Sequence, residues 1–309
     1  MSGGYTGSWP MVERWTGDRI RATLDSDPAC PWAYAESPAL RVIEWRYGEQ
    51  LEWRLVLIGL SEDTSRAAAA GYTPVTSAMH RLRFRDLYGM PFDRVPKARL
   101  SASSRACRAV VAARLERPGS EFPVFRALQV ANFTTPFLLD DDDQLRDVLA
   151  EVPGTHAAKI VERIDSPEVL AAYELDRAEA RSAAGSASEL QGKARNVDGV
   201  VRYTAPSVRF EAGDGRRLEA GGFQPVEAYD VLIANLDPTL ARRQPPDDPS
   251  VLLTYFPFGL TTQEVAALMA AGNDPPDRTR AEQAMMALVG EGRARQLPLA
   301  GDALWLATG

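Results

Sequence analysis

Apolar and polar residues change rhythm several times along the chain, and each change marks an element. In "RIRATLDSD" (19–27), Ile20, Ala22 and Leu24 alternate with Arg and Thr, the period of two that a strand requires. Asp27-Pro28 breaks that run. From Cys30 to about Tyr47 the apolar positions Leu40, Ile43 and Tyr47 fall at helical spacing, and Gly48 follows as a stop. Pro38 lies inside this helix and predicts a kink, because it has no N–H to donate to the preceding turn. "LEWRLVLIGL" (51–60) then reads as a largely buried strand. The chain therefore opens β–α–β, with a right-handed crossover if the strands run parallel.

Residues 76 to about 195 carry almost no strand signal. "SASSRACRAVVAARLE" predicts a helix with the serines of 101–104 as candidate caps, and "FPVFRALQVANFTT" predicts a second. "DDDDQLRDVLAEV" predicts a third, its acidic run 140–143 matching the positive end of the helix dipole. In "DSPEVLAAYELDRAEARSAAG" Asp165 or Ser166 is the cap and Pro167 opens the first turn. Strands return in "GVVRYTAPSVRFEAGDGRRLEAGG" (199–222), where two β-rich runs flank a G-D-G turn, and "QPVEAYDVLIANLDPTL" follows as a helix. "ARRQPPDDPS" (241–250) has the composition of a linker. Beyond it "TTQEVAALMAAG", "DRTRAEQAMMALVGEG" and "RARQLPLAGDALWLA" predict two helices and a hairpin, a small unit expected to be separable because few core contacts should cross the linker. The expected division is a tail (1–17), a split α/β domain (18–75 and 196–240), a helical insertion (76–195), the linker, and the C-terminal unit (251–309).

Composition narrows the function classes. The chain has 309 residues, 45% hydrophobic and 25% charged, an ordinary globular make-up with room for two domains. Two cysteines cannot make a disulfide framework, which points to a reducing, cytoplasmic compartment. The start "MSGGYTGSWPMVERWTGDR" lacks the apolar core of a secretory signal, and no stretch approaches the roughly 18 apolar residues of a membrane span. A net charge of -7 weighs against nucleic acid as the main partner. Only His80 and His156 are present, so a histidine metal cluster is excluded; His80, near several arginines, reads as a surface residue or as a contact for an anionic cofactor. The acidic run lacks the spaced ligands and central glycine of a calcium loop. No P-loop, Ser-His-Asp pattern or G-x-S-x-G elbow occurs.

The chemistry concentrates at "DSDPACPWAYAESP" (25–38). A cysteine placed after a strand and a tight turn, at a helix start, meets unpaired N–H groups and the helix dipole, which favour the thiolate. A free thiol pKa of about 8.5 falls to roughly 3.5–7.5 in such places. Pro31 suits the first helical turn, and Trp32 supplies an apolar wall. The same residues also allow a buried structural cysteine. Cys107, on an apolar helical face with Val110 and Val111, reads as a core residue.

"DPACPWAYAESPAL" resembles the active-site segment of the DsbA-like thioredoxin-fold family, in particular its FrnE-type and actinobacterial cytosolic members, whose usual form is D-x-x-C-P-W-C. Pro206 in "VRYTAPSVRF" matches the family's cis-proline, in the loop that faces the catalytic cysteine. The resemblance spans roughly residues 18–240 and implies an α/β thioredoxin fold with an inserted helical domain and thiol–disulfide oxidoreductase activity. It assigns Cys30 the catalytic role, with Pro31, Trp32, Ala33, Thr204, Ala205 and Pro206 shaping the substrate site. Ala33 stands where dithiol members have their second cysteine. Cys30 then works as a monothiol, resolved by a low-molecular-weight thiol such as mycothiol or glutathione, or less directly by Cys107, or the redox chemistry is lost. The implied partners are a small thiol or a protein disulfide, with no tightly bound cofactor and no metal. Two rivals on the same fold stay open: a thiol-cofactor-dependent transferase or isomerase, of the kappa-transferase or 2-hydroxychromene-2-carboxylate isomerase type, and a non-catalytic binding protein. The C-terminal order resembles the end of a winged helix. Its second helix carries Arg278 and Arg280 among Asp277, Glu282 and Glu291, which favours protein contact over DNA.

Overall fold

The computed structural model describes residues 17–272 and 274–308, so the tail predicted for 1–17 lies outside the described residues except for Gly17. Strands β1 (Ile20–Ser26) and β2 (Leu51–Leu57) run parallel, from Ile20 opposite Leu51 to Ser26 opposite Leu57. Two helices, Pro31–Ala35 and Ser37–Tyr47, make the crossover between them. The kink predicted at Pro38 falls two residues earlier, at Glu36, and leaves Pro38 in the first turn of the second helix, where its missing N–H costs nothing. A separate hairpin, β3 (Ala194–Val197) and β4 (Val200–Tyr203), precedes β5 (Ser207–Glu211) and β6 (Arg217–Gly221), which complete an antiparallel half with sheet order β2-β1-β5-β6. The fold is the thioredoxin-like arrangement that the sequence implied, with a helical insertion between β2 and β3.

The insertion is not a loose appendage. Leu24, Ile43, Leu55 and Phe210 of the sheet and its helix share one core with Val110, Leu128 and Tyr173 of the insertion. Its helices start largely as expected. Asp141 accepts the Gln144 N–H at 3.1 Å, and Ser166 accepts that of Val169 at 3.4 Å. Ser103 is the exception. It stands at the cap position of helix Ser104–Glu116, yet makes no capping bond and donates its hydroxyl to Asp27 at 2.9 Å.

The expectation that few contacts cross residues 241–250 does not hold. The C-terminal unit comprises helix Ser250–Tyr255, β7 (Leu260–Thr261), helices Thr262–Met269 and Arg278–Gly290, and the hairpin β8 (Ala294–Leu299) and β9 (Asp302–Ala307), in sheet order β7-β9-β8. Val42 and Trp45 of helix Ser37–Tyr47 belong to its core, beside Leu252, Val265 and Met285. The intervening chain is pinned as well: the Trp45 indole donates to the Gln244 carbonyl at 2.9 Å, and Arg243 stacks 4.4 Å over the same ring. The physical reason is that this helix has two apolar faces. Leu40 and Ile43 turn to the sheet, whereas Val42 and Trp45 need a second partner.

Glu264 ties the three parts together. It is fully buried, accepts from Arg126 of the insertion at 2.6 and 2.7 Å, accepts from Ser37 of the crossover helix, and caps its own helix through Thr261. Burial alone would raise its carboxyl, but Arg126 outweighs that and holds it at about 2. A folded-state value below the unfolded one contributes stability that is complete above about pH 4.5 and is lost as pH falls towards about 2. Glu264→Gln should cost about 3–5 kcal/mol in denaturant unfolding, because Arg126 is left buried and unanswered, and should flatten the acid limb of stability over that window. A loss below about 1 kcal/mol would show that the pair is not what locks the C-terminal unit in place.

Candidate active site

Three elements converge on Cys30. The turn after β1 holds its N–H on the Asp27 carbonyl at 3.1 Å, and Pro31 then opens the helix. Cys30 is the N-cap residue of that helix, in extended conformation. From the opposite side comes the loop between β4 and β5, where Ala205-Pro206 is cis as expected. The thiol donates to the Ala205 carbonyl at 3.0 Å across 175 residues of sequence. Val56, Ile58, Ala180, Ala205 and Ala33 close around it, so that Cys30 is only 5% exposed.

That burial overturns the expected acidity. Desolvation pushes the Cys30 thiol up to about 12, and the neighbouring Asp27 carboxyl adds to the rise. The helix-start N–H groups of Ala33 and Trp32 and the positive Arg202 pull the other way and do not prevail. The helix terminus is legible in the sequence around Cys30; the apolar shell is not, because it comes from residues far along the chain.

The remaining expected residues divide. Ala33 and Ala205 pack with Cys30, Pro206 is buried beside Ala205, and Pro31 occupies the first turn. Trp32 is 43% exposed and forms an aromatic wall, edge-on to Phe84 at 4.8 Å, Tyr88 at 5.6 Å and Phe223 at 5.8 Å. Phe84 and Tyr88 belong to helix Pro74–Tyr88, so the insertion supplies part of the wall. The Thr204 hydroxyl donates to the carbonyl of Lys193, just before β3, at 2.8 Å, which ties the thiol loop to the start of that hairpin. His80 is exposed and packs on Tyr72, a surface histidine.

Behind Cys30 lies a polar pair that the sequence did not reveal. The Asp27 carboxyl is fully buried and accepts from the N–H groups of Ala29 at 2.8 Å and Leu60 at 2.7 Å and from Ser103. Cys107 points at it from the insertion, Sγ 3.5 Å from Oδ2. Burial raises the Asp27 carboxyl, and burial together with Asp27 raises the Cys107 thiol well above the ordinary range. Cys107 is a core residue, with no exposed surface from which to resolve a disulfide on Cys30.

The β3–β4 hairpin was also missed. "NVDGVV" carried its signal: Asp198 and Gly199 both have positive φ, the turn that Asp-Gly between apolar residues favours. It places Arg195 directly opposite Arg202, close to the thiol loop.

The profile of the DSBA-like thioredoxin domain matches residues 26–184. No curated protein matches the chain. Among solved structures, a candidate protein disulfide isomerase from Nitrosomonas europaea aligns with a TM-score of 0.54 at 18% identity, covering 70% of this chain and 97% of that one. The cytosolic disulfide reductase DsbM from Pseudomonas aeruginosa aligns with a TM-score of 0.47 at 21% identity, covering 70% and 98%.

With its thiol pushed up to about 12, Cys30 should alkylate slowly at neutral pH, the rate rising about tenfold per pH unit from 7 to 10 without a plateau. Iodoacetamide labelling of a Cys107→Ser variant, followed by intact mass, measures this. A plateau below pH 8 would mean that the helix start, not burial, governs the thiol.

Proposed function

The chain belongs to the DSBA-like thioredoxin domain family, and from that membership we propose that it is a thiol–disulfide oxidoreductase working through one cysteine, Cys30. The observation that carries the reading is the 3.0 Å contact between Cys30 Sγ and the carbonyl before cis-Pro206, which holds the thiol where a substrate disulfide would meet both the loop and the Trp32 wall. In the first step the Cys30 thiolate attacks one sulfur of a disulfide. That S–S bond breaks, a Cys30–sulfur bond forms, and the displaced thiolate takes up a proton. With Ala33 in the second position no neighbouring thiol can reverse this, so an external thiol attacks the mixed disulfide and frees Cys30. Glutathione and mycothiol are the candidate co-substrates, and the proposed compartment is the reducing cytoplasm, consistent with two unpaired cysteines. Among the described residues no helix is long and apolar enough to cross a membrane. A raised thiol pKa makes Cys30 a slow nucleophile and a poor leaving group, so the mixed disulfide should persist.

One observation favours a second reading. A thiol that keeps its proton can turn it from the Ala205 carbonyl to a bound cofactor thiolate, the part a serine hydroxyl plays in a thiol-cofactor-dependent transferase or isomerase. There the cofactor binds without bonding to the protein. The C-terminal unit fits a winged-helix-like protein-contact module, since the exposed side of helix Arg278–Gly290 sets Arg280 against Glu282.

Intact mass after incubation with oxidised glutathione or mycothiol disulfide separates the readings. The oxidoreductase predicts one adduct, on Cys30, and Ala33→Cys should speed its release at least about tenfold by supplying an internal thiol. Reversible binding with no adduct would replace the oxidoreductase with the transferase reading.

A further inference from the structure

Three arginines gather near the thiol cluster: Arg202, whose charge acts on Cys30, and beside Arg202 the half-buried Arg181 and the exposed Arg195. Arg202 of β4 and Arg195 of β3 are direct cross-strand partners, an arrangement that destabilises a hairpin because like charges face each other. Arg202 is half-buried, its Nη1 engaged by the Tyr203 carbonyl at 2.8 Å, two residues before Ala205. Arg181, just after helix Pro167–Ala180, donates to the carbonyl of Ile58 at 2.9 Å, and Ile58 packs against Cys30. The Ala183 N–H on the Val201 carbonyl, 3.2 Å, ties this helix end to the hairpin. Among the described residues none of the three forms an ion pair.

Acids on the neighbouring elements are committed elsewhere. Asp198, at the hairpin turn, pairs with Arg66 at 2.6 Å. Glu179 serves Arg54 and Arg209, Glu219 accepts from Ser188 and Tyr203, and Asp27 is turned to backbone N–H groups and Ser103. The contrast lies in the wide cleft between Glu62 and Asp140, where Arg99, Arg105 and Arg108 are each paired with an aspartate. A like-charge cluster that breaks a local pairing rule beside a candidate site is the kind of departure a ligand completes.

Resting on the reading of Cys30 as a thiol-exchange site, we propose that Arg181, Arg195 and Arg202 form an anion cradle that selects a carboxylate-bearing low-molecular-weight thiol, arriving as its disulfide, over a neutral one. A peptide thiol of the glutathione type has the carboxylates to answer these charges; mycothiol has none. Arginine is suited to the task, since its planar fork accepts a carboxylate in two parallel hydrogen bonds. The chemical step is the one already given: Cys30 thiolate breaks the S–S bond of oxidised glutathione, keeps one half as a mixed disulfide, and releases the other as a thiolate that is then protonated. Burial raises the Cys30 thiol while the charge of Arg202 opposes it, so the cradle acts on nucleophile and substrate alike.

Two measurements test this in the full chain. Mixed-disulfide formation on Cys30 should be about tenfold faster or more with oxidised glutathione than with neutral 2-hydroxyethyl disulfide, and Arg195→Gln/Arg202→Gln should bring the ratio of the two rates down to about one, whatever it does to the nucleophile that both disulfides share. Calorimetric binding of S-methylglutathione, which cannot exchange, should weaken about tenfold in the same double variant and fall off with salt. Equal rates with both disulfides, or S-methylglutathione binding that is absent or indifferent to the double variant, would overturn the cradle. Arginine-dependent binding of S-methylglutathione without any adduct would keep the cradle and remove the redox reading instead. Circular dichroism of the double variant establishes that it is folded, and Arg195→Lys, which retains the charge, should recover part of the preference.

Discussion

Taking the Cys30 sulfur out of water is the constraint on which the site depends. A thiolate in this shell would be a charge among Val56, Ile58, Ala180 and Ala205, and the protonated thiol avoids that cost by donating to the Ala205 carbonyl. Two helix-start N–H groups, of Ala33 and Trp32, and the charge of Arg202 act to acidify the cysteine and are outweighed. The order of magnitudes decides the chemistry: burial sets a thiol near 12, whereas N–H groups and one arginine reduce it only in part. In the proposed exchange such a cysteine attacks slowly and holds what it catches. The missing second thiol at Ala33 acts in the same direction, because nothing inside the protein can release the captured group.

The shell draws on both halves of the α/β domain and, through Ala180, on the insertion, and the C-terminal unit supports one wall of the site from behind. Asp27, behind the thiol, is fixed by Ser103 and faces Cys107, both from the insertion. Helix Pro74–Tyr88 contributes Phe84 and Tyr88 to the Trp32 wall, and its end is held from the C-terminal unit, where Arg278 reaches the Gly89 carbonyl and Thr261 contacts Met90. Glu264 and Arg126 then bind that unit to the crossover helix and the insertion through a buried pair. The C-terminal unit thus sits behind one wall of the site rather than beyond a flexible tether.

The sequence disclosed what depends on neighbours in the chain. β1, the helix pair, β2 and the β5–β6 hairpin all follow from periods of two or 3.6 with turn residues between them. The Cys30-Pro31-Trp32 and Thr204-Ala205-Pro206 segments were recognisable from short motifs. Effects that depend on distant residues were hidden. Nothing local to Cys30 tells that Ile58, Ala180 and Ala205 close over it. Trp45 and Val42 read as ordinary helix positions until a second core is found against them. Ser103 looked like a cap and serves Asp27. The β3–β4 hairpin is different, since its Asp198-Gly199 turn is a local signal that also fixes the opposed arginines.

On the proposed reading, one buried cysteine captures a small anionic disulfide and cannot release it unaided. A crystal structure of the protein after reaction with oxidised glutathione tests this most directly. The expected density is a disulfide between Cys30 Sγ and one glutathione half, seated by the Ala205–Pro206 loop, with its carboxylates on Arg195 and Arg202. A free Cys30 thiol still bound to the Ala205 carbonyl, or an adduct on Cys107, would contradict it.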